Sequence, residues 1–445
     1  MSVSRLRIAP ATFIAGSLAA LMLSACGGGG SNSSSSVPAP SNFAVAAGDG
    51  QASVTWDDNT SYQYWLYYAP TVNFSTVAEW SKITGAQSKV GYNNDKGIRP
   101  PMIVTGLTNG STYYFAMNGR DNGGKGGPLS ATIQVIPRAS GDTWNGVTVA
   151  GSPTLRSVAL GTDSNDSTSA YVAVGDGGVV YSAPAYTSSS ALSWTSKATL
   201  GGQLNGVVYT LSKFVSVGTG GKTWYATTPG SWTAGTISDS GTANLNALAS
   251  NGTTVVAVGD SGRIVYSTDG QSWTPAASVP GGTANLYGVT YSTKGQWIAV
   301  GANCTMLTST DGSTWTTQAV TLSGAGCTDL RSVDAVAVTT NSVTTYYFAA
   351  VGTGATGGAI VTSSDGTTFT QLADVGSAPL YAVASSADGR FAAVGASNAI
   401  YVATALNTWV APTTKPAGTA NLYGVTRANA TYTAVGASGT SVYSY

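Results

Sequence analysis

From about residue 140 onward, apolar and polar positions alternate at the two-residue period of a β-strand, in short runs broken by glycine-rich turns. Seven of these runs end in Val-Gly, with the glycines at Gly175, Gly218, Gly259, Gly301, Gly352, Gly395 and Gly436. They are spaced 41 to 43 residues apart, except for one interval of 51. A strand opening on leucine precedes each one: LRSV, LNGV, LNAL, LYGV, LRSV, LYAV and LYGV. An aromatic residue follows in six units, at Trp194, Trp232, Trp273, Trp315, Phe369 and Trp409. The seventh unit reaches Tyr445 before its aromatic, whereas "SGDTWNGVTV" (Ser140–Val149) carries Trp144 ahead of the first unit. Four strands per unit in this permuted register predict an all-β ring. The expected ring is a seven-bladed β-propeller over residues 141–445, closed by its N-terminal strand so that no sheet edge stays open.

Residues 41–138 alternate in the same way without the repeat. "FAVAAGDGQASVTWD" predicts two strands around the Gly48-Asp49-Gly50 turn, and "YWLYYAP" a third. "GLTNGSTYYFAMNG" places Tyr113 six residues after Leu107. This stretch resembles a fibronectin type III domain, and the Leu107–Tyr113 spacing is similar to that family's tyrosine corner. Asn109 stands where the family often has proline. Tyr62, Tyr64, Trp65, Tyr67 and Tyr68 would suit a sugar-binding face, but alternation buries half of any such strand, so core packing is the expectation.

The N-terminus has a different texture. Arg5 and Arg7 precede the apolar run Ile8–Leu23, too short to span a membrane comfortably, and "LSAC" ends at Cys26. The alternatives are an ordinary secretory signal or a transmembrane helix. The segment resembles the lipobox of bacterial lipoproteins, which implies cleavage of residues 1–25 and acylation at Cys26. Gly27 in the next position resembles an outer-membrane address, leaving the body periplasmic or surface-exposed. Residues 26–40 (GGGGSNSSSSVPAP after the cysteine) then read as a flexible tether stiffened at its prolines. With Cys26 acylated, Cys304 and Cys327 remain as an even pair in an oxidising compartment, which predicts a disulfide.

Composition narrows the chemistry further. Basic and acidic residues balance at 19 each, so no electrostatic footprint for nucleic acid exists. There is no histidine, and Glu79 is the sole glutamate, which removes the commonest acid–base groups. Neither a metal site nor a cofactor is expected.

Three units carry Ser-x-Asp-Gly before the aromatic: Ser267–Trp273, Ser309–Trp315 and Ser363–Phe369. They resemble shortened Asp boxes of sialidase-like propellers, and come nearest to those of photosystem II assembly factors and their bacterial relatives. The resemblance implies structural roles for Asp269, Asp311 and Asp365, with Trp273, Trp315 and Phe369 packing between blades on the face away from any ligand. Sialidase chemistry is not expected: the propeller has no glutamate, and Arg156, Arg263, Arg331, Arg390 and Arg427 are scattered over its units. Ordinary glycoside hydrolysis needs two flanking carboxylates, and no Asp pair stands out by spacing. "GTGATG" (Gly352–Gly357) and "GGKT" (Gly220–Thr223) imitate phosphate loops but lead into strands, so both read as turns. "DSNDS" (Asp163–Ser167) lacks EF-hand spacing and reads as a solvated loop rather than a calcium site.

In a propeller the loops joining second to third strands share a face with the connections between blades. Cys304 and Cys327 belong to that face, as does the loop Gly259–Arg263. The residue after each inner-strand leucine should ring the channel mouth there: Arg156, Asn205, Asn246, Tyr287, Arg331, Tyr381 and Tyr423. These residues either contact a partner or only pack between blades near the axis. The leading expectation is a monomeric, non-catalytic, lipid-anchored module that binds a protein partner in assembly or adhesion. The alternatives are a glycan-binding or glycan-cleaving surface protein, and a purely structural envelope component.

Overall fold

The computed structural model describes residues 37–90, 98, 100, 102–121, 126–139, 141–185, 192–280, 284–322, 326–340, 342–428 and 431–444. The expected signal segment 1–25, Cys26 and the expected tether up to residue 36 lie outside the described residues. The chain divides into two compact units, Met1–Ala139 and Ser140–Tyr445.

The first unit is a pair of antiparallel sheets. One holds Ala44–Gly48, Gln51–Thr55 and Met102–Thr105; the other holds Gln87–Val90, Gln63–Pro70, Tyr113–Arg120 and Ile133–Val135. Trp56, Tyr64, Leu66, Tyr68, Val104 and Phe115 fill the core. The backbone N–H of Thr108 donates to the Tyr113 hydroxyl at 3.1 Å, tying the Leu107–Tyr113 loop as its spacing predicts. Asn109 accepts from Gly50 N–H at 2.8 Å and donates to Asp49 at 2.7 Å, pinning the first hairpin. The aromatic strand packs on both faces: Tyr64 and Tyr68 face the core, while Tyr67 is covered by Phe74 and Trp80. Glu79 caps the short helix Val77–Trp80, taking N–H bonds from Ser75 at 2.7 Å and Thr76 at 3.3 Å. The hydrogen bonds from Ser75 hold its carboxyl below the usual range. The sole glutamate therefore serves as a cap. One boundary shifts relative to expectation. Val37, read as tether, is 5 % exposed and lies against Gly119 and Gly127, because its apolar side chain finds cover there. The unit thus starts before Ser41.

Among the described residues the second unit contains seven sheets, one per repeat, antiparallel except for two parallel edge pairs, Thr236–Ile237 with Ser272–Pro275 and Val320–Thr321 with Phe369–Gln371. Their inner strands are Leu155–Asp163, Leu204–Thr210, Leu245–Ser250, Leu286–Ser292, Cys327–Thr340, Leu380–Ser385 and Leu422–Ala428. Each packs against the next, and the seventh packs against the first. The outer strand of the seventh sheet comes from the start of the unit: Asn145–Thr148 pairs antiparallel with Thr440–Tyr443. The longer interval of 51 residues arises from a long hairpin, Cys327–Thr340 with Val343–Gly354, in the fifth sheet.

Apolar clusters lie between adjacent sheets. Trp273 packs on its own Val255 and Val265 and on Val215 and Val217 of the second sheet. Trp315 and Phe369 repeat this against the third and fourth sheets, and Trp144 against the sixth. The repeated glycine has a steric cause. A Cβ on Gly259 would lie 1.9 Å from the carbonyl oxygen of Asn244, on the segment entering the inner strand. Only glycine allows that approach.

Candidate functional site

The ring positions are set by a backbone irregularity that recurs in all seven sheets. In the third sheet Leu245 pairs with Gly259 and Ala247 with Val258, leaving Asn246 as an extra, unpaired residue. Arg156, Asn205, Tyr287, Arg331, Tyr381 and Tyr423 occupy the same bulge in their sheets. A bulge re-aims one side chain out of strand alternation. Here it brings all seven half-buried residues to the wall of one cavity of about 470 Å³, which is lined by the inner strands.

Around that mouth the residues touch one another in sequence. Arg331 lies 5.0 Å from the Tyr287 ring centroid and 5.9 Å from that of Tyr381. Tyr381 stacks on Tyr423 with centroids 5.5 Å apart, and Arg156 lies 5.3 Å from the Tyr423 ring. Asn205 donates to the Leu245 carbonyl and Asn246 to the Leu286 carbonyl, each at 2.9 Å, reaching across to the following sheet. Partner contact and inter-sheet packing are thus not exclusive alternatives, since these side chains join neighbouring sheets while lining the cavity.

Sequence reasoning missed the carboxylates that set the electrostatics. Arg156 pairs with Asp176, and Arg331 with Asp329 at 3.2 Å. Asp260 accepts from Asn246 and Asn244, both at 2.8 Å. Asp176 and Asp260 directly follow the repeated glycine, a signal visible in "GDGG" and "GDSG". Also missed were Asn244, Asn285 and Asn421, each just before an inner-strand leucine. Their side chains accept from Gly220, Ser261 and Ser397 N–H of the preceding sheet at 2.9, 2.8 and 3.0 Å. Deeper in the cavity, Asp334 takes bonds from Thr290 of the fourth sheet and Ser385 of the sixth, at 3.2 and 2.6 Å. Burial pushes its carboxyl above the ordinary value, against those hydrogen bonds.

The disulfide Cys304–Cys327 joins the loop of the fourth sheet to the start of the fifth inner strand, on the mouth side. The Asp boxes lie at the third-to-fourth strand turns, hence at the opposite end of each sheet. In each, one Asp oxygen accepts two N–H groups: Gln271 and Ser272 at 2.7 Å on Asp269, Ser313 and Thr314 at 2.8 and 2.7 Å on Asp311, Thr367 and Thr368 at 2.7 Å on Asp365. The two phosphate-loop imitations are turns between second and third strands. In Asp163–Ser167 the carboxylates bond within their own turn, Asp163 to Asn165 N–H at 3.0 Å and Asp166 to Thr168 N–H at 2.9 Å. Among the described residues no three Cys, Asp or Glu side chains form a group able to hold a metal ion.

No protein-family model matches the sequence, and no curated protein matches it. Solved structures do. "YCF48 bound to D1 peptide" is 14 % identical with a TM-score of 0.50, over 68 % of this chain and 94 % of that one. YCF48 from Cyanidioschyzon merolae is 18 % identical with a TM-score of 0.51, over 68 % of this chain and 99 % of that one. At such identities the likeness concerns fold alone: the chain is all-β and its ring of sheets is a β-propeller.

Proposed function

We propose that this chain is a lipid-anchored cell-envelope protein whose propeller is a non-catalytic docking module for a protein partner, with the bulge-residue mouth as the docking face. In this reading Cys26 carries the lipid, the first unit from Val37 to residue 138 is a fibronectin type III spacer, and the propeller has seven blades of the Asp-box kind. The protein is monomeric and sits at the outer membrane. The observation that carries the docking face is the seven-fold bulge, which spends one residue per blade on the channel mouth. A likeness to a fold solved with a bound peptide supports a protein partner.

The mouth's chemistry favours protein over glycan. Sugars stack on free aromatic faces, but Tyr381 and Tyr423 stack on each other, and Arg331 and Arg156 approach the same two rings. The mouth offers instead paired guanidinium groups, carboxamides and phenol edges, which suit main-chain and side-chain polar groups.

Cross-linking in cells followed by mass spectrometry tests this. Wild-type protein should recover a partner whose yield falls at least fivefold in a Tyr287→Ala, Arg331→Ala variant that stays folded. An unchanged partner yield, or glycan-array binding lost in Tyr287→Ala with Tyr381→Ala, would contradict the reading. For the anchor, Cys26→Ser should abolish fatty-acid labelling of the protein.

A further inference from the structure

The first and third sheets place the same carboxylate in the same loop and answer it differently. Asp176 and Asp260 each follow the strand-ending glycine, and each faces the bulge residue of its own sheet. In the first sheet that residue is Arg156, whose guanidinium pairs with Asp176. In the third it is Asn246, whose carboxamide nitrogen donates to Asp260 Oδ1 at 2.8 Å while Asn244 donates to Oδ2 at 2.8 Å. Among the described residues no basic side chain reaches Asp260 and no donor reaches Asn246 Oδ1. The neighbouring bulge residue is Tyr287, whose hydroxyl also has no partner within the described chain. Arg156 and Arg331 are matched by Asp176 and Asp329, whereas Asp260 has no basic partner among the described residues.

Asp260 and the carboxamide oxygen of Asn246 together offer acceptors beside the cavity wall, and ammonium or guanidinium donors satisfy such a pair best. The repeat supplies its own template, because the first sheet fills the equivalent place with a guanidinium from the chain. We propose that the Asp260–Asn246 pair receives a lysine or arginine side chain of the docked protein partner. This rests on the mouth being the docking face.

Blocked tripeptides Ac-Ser-Arg-Ser-NH2, Ac-Ser-Lys-Ser-NH2 and Ac-Ser-Gln-Ser-NH2, titrated into the full chain by NMR, test the inference. The two basic peptides should shift the Asn246 side-chain and Tyr287 resonances, and the Gln peptide should not. Asp260→Asn should weaken basic-peptide binding about tenfold, the loss expected for one charge-assisted hydrogen bond. Asn246→Arg should abolish it by supplying the guanidinium from within, as Arg156 does. Asp374→Asn, in the connection leaving the fifth sheet, should change nothing. Equal binding of the Gln peptide, or wild-type affinity in Asp260→Asn, overturns the inference. If the cellular partner still cross-links at the mouth in that case, the docking reading stands and only the basic-side-chain assignment falls.

Discussion

Asp269, Asp311 and Asp365 each turn one oxygen toward two backbone N–H groups and accept a serine hydroxyl besides. Such bonds favour the charged carboxylate. At Asp269 burial opposes ionisation, yet the Ser272 and Gln271 N–H groups and the Ser267 hydroxyl outweigh it and hold the carboxyl at about 2, against an ordinary 3.8. The N–H groups of Thr314 and Ser313 lower Asp311, and those of Thr368 and Thr367 lower Asp365. A folded-state value depressed below the unfolded one gives stability that is complete above about pH 4 and is lost as pH falls through about 2. Asp269→Asn with Asp311→Asn and Asp365→Asn should therefore flatten the fall in melting temperature between pH 4 and pH 2, as followed by circular dichroism. Each replacement should cost about 1 kcal/mol at pH 7, as for a local hydrogen bond; an unchanged pH profile would show that the boxes contribute nothing. These residues were legible because a Ser-x-Asp-Gly turn closes on itself. The partners of Asp176 and Asp260 were not, since Arg156, Asn244 and Asn246 meet them only across a bulged strand pair.

At the scale of elements, the mouth loops are stitched from sheet to sheet. Asn285 accepts the Ser261 N–H, where Ser261 itself sits at a left-handed φ of 56°. Asn285→Ala should lower stability by about 1 kcal/mol in urea unfolding, with Asn244→Ala and Asn421→Ala behaving alike. Cys304 occupies a left-handed position too, φ 53°, where other sheets carry Gly178, Gly221, Gly262, Asn398 and Gly439. Its bond to Cys327 closes a sequence separation of 23 residues. The double variant Cys304→Ser, Cys327→Ser should lose roughly 3 kcal/mol by the chain-entropy account, and reductant should leave its unfolding curve unmoved while shifting that of the wild type. Equal thiol counts before and after reduction would exclude the bond. The pairing was legible because cysteine number and topology agreed. The bulges were not, since a one-residue mismatch between strands leaves no mark in the alternation pattern of a single strand.

For the whole propeller, the repeat made the row of sheets readable, and the displaced Trp144 pointed to the pairing of the unit's first and last strands. Trp144 is 2 % exposed, donates to the Gly141 carbonyl at 2.8 Å and packs with Ile400 and Tyr432. The strand it precedes is held by Thr440–Tyr443. Truncation after Gly439 should accordingly abolish cooperative unfolding, although few residues are removed; a truncated chain with a wild-type transition would mean that closure is dispensable. The role of the mouth was less legible than its residues, because partner contact and inter-sheet packing ask for the same side chains. Site-resolved photo-cross-linking in cells separates them most directly, with a photoreactive amino acid at Tyr287 on the mouth or at Ser272 beside an Asp box. The docking account predicts a discrete adduct with one partner from position 287 and none from position 272. Adducts from 272 alone, or from neither position, would contradict it.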